Sequence, residues 1–226
     1  MDPQQFAVAQ VLANDVAALL SFTTVSEVVC FGYEYPEVEP FAEQRSFVGQ
    51  LQYFRPTLEI QNAAVVRQFL ETTFPSYRQL HVVRQLNIAF RYYVLSQKSG
   101  LPTEVHLLTL FILLEQLKHT FAPQHGFPFI KHRFRNIGAT PANPGPPAKF
   151  ETMLTAMFGA VGMAPSLGAI VKLRNTLVHS GITQLNAPDM WAMLSTIQDV
   201  VREYLLRLLK YHGPYLRFSD LAVTNM

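Results

Sequence analysis

Cysteine is nearly missing: Cys30 is the only one in 226 residues. One thiol leaves no intramolecular disulfide and no thiolate zinc cage, which needs two to four cysteines, so a reducing cytoplasm is the expected compartment. Charge is scarce as well. Asp, Glu, Lys and Arg make up 15% of the chain, against about 25% in an average soluble protein. The net charge of +2 makes no strong field, so affinity for nucleic acid has to come from local basic clusters. Uninterrupted apolar runs are short: Leu107 to Leu114 is broken by Thr109 and stopped by Glu115, below the roughly 18–20 residues of a membrane span. No basic cluster precedes the first apolar stretch, as it would in a signal peptide, and no membrane association is expected.

Other absences exclude enzyme classes. There is no Gly-rich phosphate loop ending in Lys-Ser/Thr and no Gly-x-Ser-x-Gly elbow. Metal-site spacing is lacking too, since His119 and His125 are separated by Pro123. No metal and no cofactor are expected.

What the chain does have is helical periodicity. Val8, Val11, Leu12, Leu19 and Leu20 recur at helical spacing within Phe6 to Phe22. Residues 25–60 change character: Val28 to Phe31 and Phe47 to Phe54 are rich in β-branched and aromatic residues and are separated by Pro36 and Pro40, the pattern of two short strands. From about Ala63 the helical period returns, up to Pro75, then from Leu80 through Leu86, Phe90 and Tyr93 to the stop at Gly100 and Pro102. Thr103 reads as the N-cap of a helix reaching about Phe121.

Residues 122–148 are so dense in proline and glycine that a long irregular connection is expected. Further helices follow at about 149–161, from Ser166 as N-cap to Ser180 closed by Gly181, and from about Pro188 to Tyr211. The fold class is therefore mainly α: an antiparallel helical bundle over 63–226, preceded at 1–62 by a small, incomplete strand-containing region.

Ile170, Leu173 and Leu177 are three and four apart, which turns one face of the 166–180 helix into the core. Asn175 and His179, four apart, share another face, and Arg174 is offset by about one position. His179 lies in the last turn, where the helix dipole favours a protonated imidazole and general acid–base work. Arg174 offers a fixed positive fork for a phosphate, and Asn175 can orient either group. The three have the parts for metal-free RNA cleavage. An ordinary helix end is the competing reading, with a snorkelling arginine, a solvated asparagine and a histidine capping the last carbonyls. His106, on an apolar helix, reads as a satisfied core or edge histidine.

The segment Arg174-Asn175-Thr176-Leu177-Val178-His179, followed by Gly181, resembles the Arg-x4–6-His motif of HEPN ribonucleases, in which a polar residue commonly follows the Arg. The context is similar as well: a helix carrying Glu115 precedes the motif and a long amphipathic helix, Trp191 to Leu209, follows it. The resemblance spans about residues 78–212 and looks most like the ApeA-like HEPN domains of prokaryotic defence proteins. There a strand-rich region precedes the bundle, so residues 1–62 look like a junction, and a missing N-terminal domain or partner is expected.

The resemblance implies a homodimeric, metal-independent endoribonuclease that leaves a 2′,3′-cyclic phosphate, with Arg174 and His179 catalytic and Asn175 their helper. Glu115 would support the site by bonding Arg174 or His179, or else be structural. Lys131, Arg133 and Arg135, in the most basic stretch of the chain, would contact RNA, or else belong to a solvated loop. The alternative within the family is a non-catalytic module that binds RNA or nucleotide, or dimerises. The apolar side of the last helix (Trp191, Leu194, Ile197, Val201, Leu205, Leu208) is the surface expected to meet a second copy or the missing domain.

Overall fold

The helical periodicity resolves, in a computed structural model that describes residues 3–30, 32–33, 43–44 and 55–226, into a mainly helical chain. The α-helices are α1 (Pro3–Thr24), α2 (Ala63–Leu80), α3 (Leu86–Leu95), α4 (Thr103–Phe121), α5 (Phe150–Gly159), α6 (Gly168–Ser180) and α7 (Ala187–Leu208). Three two-stranded antiparallel pairs accompany them: β1 (Gly32–Tyr33) with β2 (Glu43–Gln44), β3 (Phe129–Ile130) with β4 (Arg133–Phe134), and β5 (Pro214–Leu216) with β6 (Val223–Asn225). The strand expected over Val28 to Phe31 is displaced to β1, and the one expected over Phe47 to Phe54 lies outside the described residues.

Helix α4 is the centre. It is apolar around most of its girth, with Leu107, Leu110, Leu113, Leu114 and Leu117 all buried, and it packs on α3, α5, α6 and α7. A helix apolar on several sides has to be surrounded. Leu19 and Phe22 of α1 and Leu58 belong to the same hydrophobic cluster as the later helices, so the expected junction at 1–62 shares a core with the expected bundle. The inner turns of α1 are tied down further by an ion pair between buried Asp15 and Arg78 of α2 at 2.6 Å. The window Ala7–Thr24 of α1 is long and apolar enough to cross a membrane by length and composition, and 33% of it is buried inside the chain. Its outer residues Val8, Val11 and Leu12 are exposed.

Pro75 does not end its helix. α2 passes through it and stops at Leu80, because buried Phe69 and Tyr77 anchor the helix on both sides of the missing N–H. The break falls instead at residues 81–85, where Gln85 takes a left-handed conformation with φ 48°. Two expected caps move by one residue: Pro102 and Leu167 occupy the N-cap positions of α4 and α6, in neither case with a side-chain cap bond.

The proline-rich connection is more ordered than its composition implies. A 3-10 turn (Ala122–His125) leads into the β3–β4 hairpin, whose two-residue turn places Lys131 and His132 at φ 51° and 61°. Left-handed values at both central residues are what a tight hairpin needs to match strand twist. Buried Phe127 and Phe134 anchor this hairpin. The prolines fall mostly on the return limb, which pairs back through Arg135 and Pro147 and through Ala148 N–H to Phe134 O at 2.9 Å.

The apolar side of α7 is not a free surface. Leu194, Ile197, Val201 and Leu205 are buried in the chain's own core, and Trp191 lies 5.9 Å from the ring of Phe218. α7 packs on α4 and meets Leu216 and Phe218 of the C-terminal segment, so most of its amphipathicity is satisfied internally. Trp191, on that side, stays in reach of solvent at 39% exposed, and more exposed apolar residues lie elsewhere, Ile112 on α4 and Val178 on α6 among them.

Buried Arg202 on α7 had no sequence signal beyond its charge. Its Nε donates to Tyr93 Oη at 2.6 Å, its Nη2 to Arg55 O at 2.7 Å, and its Nη1 to Pro56 O at 3.1 Å and to Leu216 O. One guanidinium thus joins α3, the segment before α2 and β5.

Candidate functional site

The motif helix α6 is oriented by Ile170, Leu173 and Leu177, all buried as their spacing requires. It ends at Gly181, whose φ of 73° is the left-handed conformation that glycine adopts without strain, and Gly181 N–H donates to Leu177 O at 2.9 Å. This cap leaves His179 in an exposed last turn.

Arg174 lies between α6 and α4. Its Nη2 donates to Glu115 Oε1 at 2.8 Å and its Nη1 to Asn175 Oδ1 at 3.0 Å, and its guanidinium carbon lies 5.1 Å from the ring centroid of Phe150. The Nε is enclosed without a hydrogen-bond partner. Glu115 also accepts from Lys118 through its other oxygen, and the Lys118 Nζ is 5.2 Å from the Phe150 centroid and 6.0 Å from that of Phe134. One carboxylate therefore holds two cations against the same aromatic ring, and the cluster keeps one uncompensated positive charge. Sequence reasoning named Glu115 and Arg174 but missed Lys118 and Phe150. Lys118 was readable as the i+3 partner of Glu115, whereas Phe150 arrives from beyond the proline-rich connection.

The remaining residues fall into two groups. Asn175 and His179 are exposed one turn apart on α6, and the imidazole has no hydrogen-bond partner among the described residues. Arg174 and His179, five residues apart, are separated by about 140° around the helix axis, and nothing bonds His179 to Arg174 or Glu115. The basic hairpin abuts the site through Phe134 and Lys118. Lys131 at its turn and Arg133 on β4 are exposed, with no partner among the described residues. Arg135 differs: its Nη1 donates to Gly145 O at 2.9 Å and its Nε to Ile130 O at 3.4 Å, so it braces the connection internally.

Three of the other histidines have structural partners. His106 Nδ1 is 2.8 Å from Ser96 O, at the end of α3. His125 stacks on Phe121 with ring centroids 3.6 Å apart, while His119 meets Phe129 and Phe134 edge-on.

No family model, no curated protein and no solved structure matches the chain. The chemistry of the site therefore rests on its own residues. The arginine is held by Glu115 and by the amide of Asn175, and an imidazole stands farther along the same helix on another of its faces. Such a set can bind a phosphodiester and move a proton. Among the described residues no three His, Cys, Asp or Glu side chains gather as a metal site would need.

Proposed function

We propose that the chain is a metal-independent endoribonuclease on a HEPN-like antiparallel bundle, working in the cytoplasm as the effector of a prokaryotic defence or toxin system. The observation that carries this reading is the fixing of Arg174 between Glu115 and Asn175 on the helix whose exposed last turn holds His179. A charge held in advance stabilises a pentacoordinate phosphorus without reorganising at the moment of reaction.

In the reaction, His179 takes the proton of a ribose 2′-hydroxyl as its oxygen attacks phosphorus. The bond from phosphorus to the 5′-oxygen breaks, and that oxygen receives a proton. The products are a 2′,3′-cyclic phosphate and a 5′-hydroxyl end. One imidazole serves either as base or as acid in a single pass, so a second imidazole from a second copy of the chain completes the pair. Leu108 and Ile112 lie on the stripe of α4 that carries Glu115, and Val171 and Val178 on the stripe of α6 that carries Arg174. Ile112 and Val178 are each 49% exposed, and this strip replaces the α7 face as the surface for the second copy.

The alternative is a non-catalytic module that binds RNA or nucleotide. It draws on the same geometry, since two N–H groups of Arg174 are already used within the chain and its Nε is enclosed. Incubation of mixed RNA with purified chain in EDTA, beside His179→Ala, decides between them. Cleavage with cyclic-phosphate ends by the parent chain alone is the expected result, and cleavage by both proteins or by neither refutes the nuclease reading.

A further inference from the structure

The chain's charge is unevenly placed. Residues 116–150 contain five Lys or Arg and no Asp or Glu, so the net +2 divides into +5 within this stretch and −3 over the rest. The structure folds the stretch into the end of α4, the β3–β4 hairpin and its return limb, all bordering the Arg174 cluster. Lys118 is buried and paired with Glu115, so the surface charge comes from Lys131, Arg133, Arg135 and Lys149. A local positive surface of this kind is the electrostatic footprint of a polyanion, which the overall charge conceals.

An aromatic ring is exposed on that surface. Phe129 and Phe134 are directly paired across β3 and β4, so their side chains share one face of the hairpin. Phe134 is buried against Lys118, while Phe129 is 55% exposed. The Phe129 ring is held edge-on by two neighbours, Phe134 at 5.0 Å and 63° and His119 at 6.1 Å and 75°. Edge contacts of this kind leave a ring face available. Lys131 stands at the hairpin tip, and Lys149, also exposed, follows Ala148, which hydrogen-bonds to Phe134.

We propose that the Phe129 ring, steadied by His119 and Phe134, is a stacking platform for one unpaired base of single-stranded RNA, with flanking phosphates on Lys131 and Lys149. This deepens the nuclease reading and rests on it for the identity of the polyanion. A single strand is the occupant that fits, because only an unpaired base offers its π-face to a protein ring, whereas a duplex hides its bases and presents phosphates and sugars. A stretch without a carboxylate favours a phosphate chain over a protein partner of mixed charge. The platform joins the site through Phe134, Lys118, Glu115 and Arg174, each in contact with the next, so a strand stacked there is led towards the Arg174 guanidinium.

The test is binding, kept separate from cleavage by using the full chain with His179→Ala. Anisotropy is measured with a short, dye-labelled, unstructured RNA, with its duplex, and with phosphatidylserine vesicles. Phe129→Ala is expected to weaken single-strand binding on the order of tenfold, Phe129→Trp to retain it, and duplex binding to be unmoved by either. Lys131→Gln with Lys149→Gln is expected to flatten the plot of log affinity against log salt by about 1.4, at about 0.7 per phosphate contact on a single strand. Unchanged affinity in a natively melting Phe129→Ala chain overturns the platform, as does equal loss for single strand and duplex, or Phe129-dependent binding to vesicles in place of RNA. The two readings fail separately. Phe129-dependent RNA binding by a chain that never cleaves upholds the platform and defeats the nuclease. Cleavage abolished by His179→Ala yet indifferent to Phe129→Ala defeats only the platform.

Discussion

Arg174 and Glu115, 59 residues apart in the chain, meet at 2.8 Å between Nη2 and Oε1 and join α6 to α4. Both side chains are partly exposed, 23% and 34%, so the pair contributes at most about 1 kcal/mol to stability after solvent screening. Its weight lies in aiming the guanidinium. Glu115→Ala is expected to lower RNA cleavage at least about tenfold, while the melting temperature falls by only a few degrees. Single-turnover kinetics and a thermal melt on the same preparation check this. Full activity in the variant would show that Arg174 needs no support.

Leu177→Ala and His179→Ala are expected to separate fold from chemistry. Leu177 is 1% exposed, and emptying its site costs about 2–5 kcal/mol. His179 is exposed, with no partner among the described residues, so its loss should leave stability within about 0.5 kcal/mol of the parent. Urea denaturation of the two variants measures the difference, and equal destabilisation would make His179 structural.

The proposed composite site demands complementation. Arg174→Ala and His179→Ala proteins, each inactive alone, are expected to recover part of the activity when mixed, and Ile112→Glu with Val178→Glu should yield a monomer by sedimentation and abolish cleavage. A monomer that cleaves at the parental rate contradicts the paired arrangement.

Arg202 is completely buried, and among the described residues its charge meets only neutral acceptors. Arg202→Ala leaves the Tyr93 hydroxyl and the carbonyls of Arg55, Pro56 and Leu216 without their donor, at about 1–3 kcal/mol for each group left unsatisfied. Early proteolysis within residues 214–226 and a markedly lower melting temperature are expected. A variant as stable and as protease-resistant as the parent would show that other contacts hold the C-terminal strands.

Burial, reinforced by the Asp15 carboxylate and opposed by Arg78, pushes the Tyr77 hydroxyl up from 10.0 to about 12. A folded-state value above the unfolded one contributes stability that is complete below pH 10 and lost as pH rises through about 12. Burial raises Tyr204, Tyr211 and Tyr215 in the same direction. Melting temperature should fall steadily above pH 10, and less steeply in Tyr77→Phe. An identical slope in that variant would remove Tyr77 from the account.

Local spacing alone determined where most of the helices lie and which face of α6 turns inward, because helical period and burial are the same signal for Ile170, Leu173 and Leu177. The motif itself, from Arg174 to His179, was equally local and equally legible. Tertiary structure decided what no window of residues contains. The apolar stripe of α7 looked like an interface, but a stripe does not say whether its cover comes from the same chain, and here α4 supplies most of it, with Leu216 and Phe218 beside it. Proline density suggested an irregular loop, yet Phe127 and Phe134 found the core and paid for a hairpin. Phe150 came to lie under both Arg174 and Lys118 because the chain turned back on itself. Contacts between distant residues depend on three-dimensional packing, and a carboxylate such as Glu115 shows which cation it holds only once the helices are assembled.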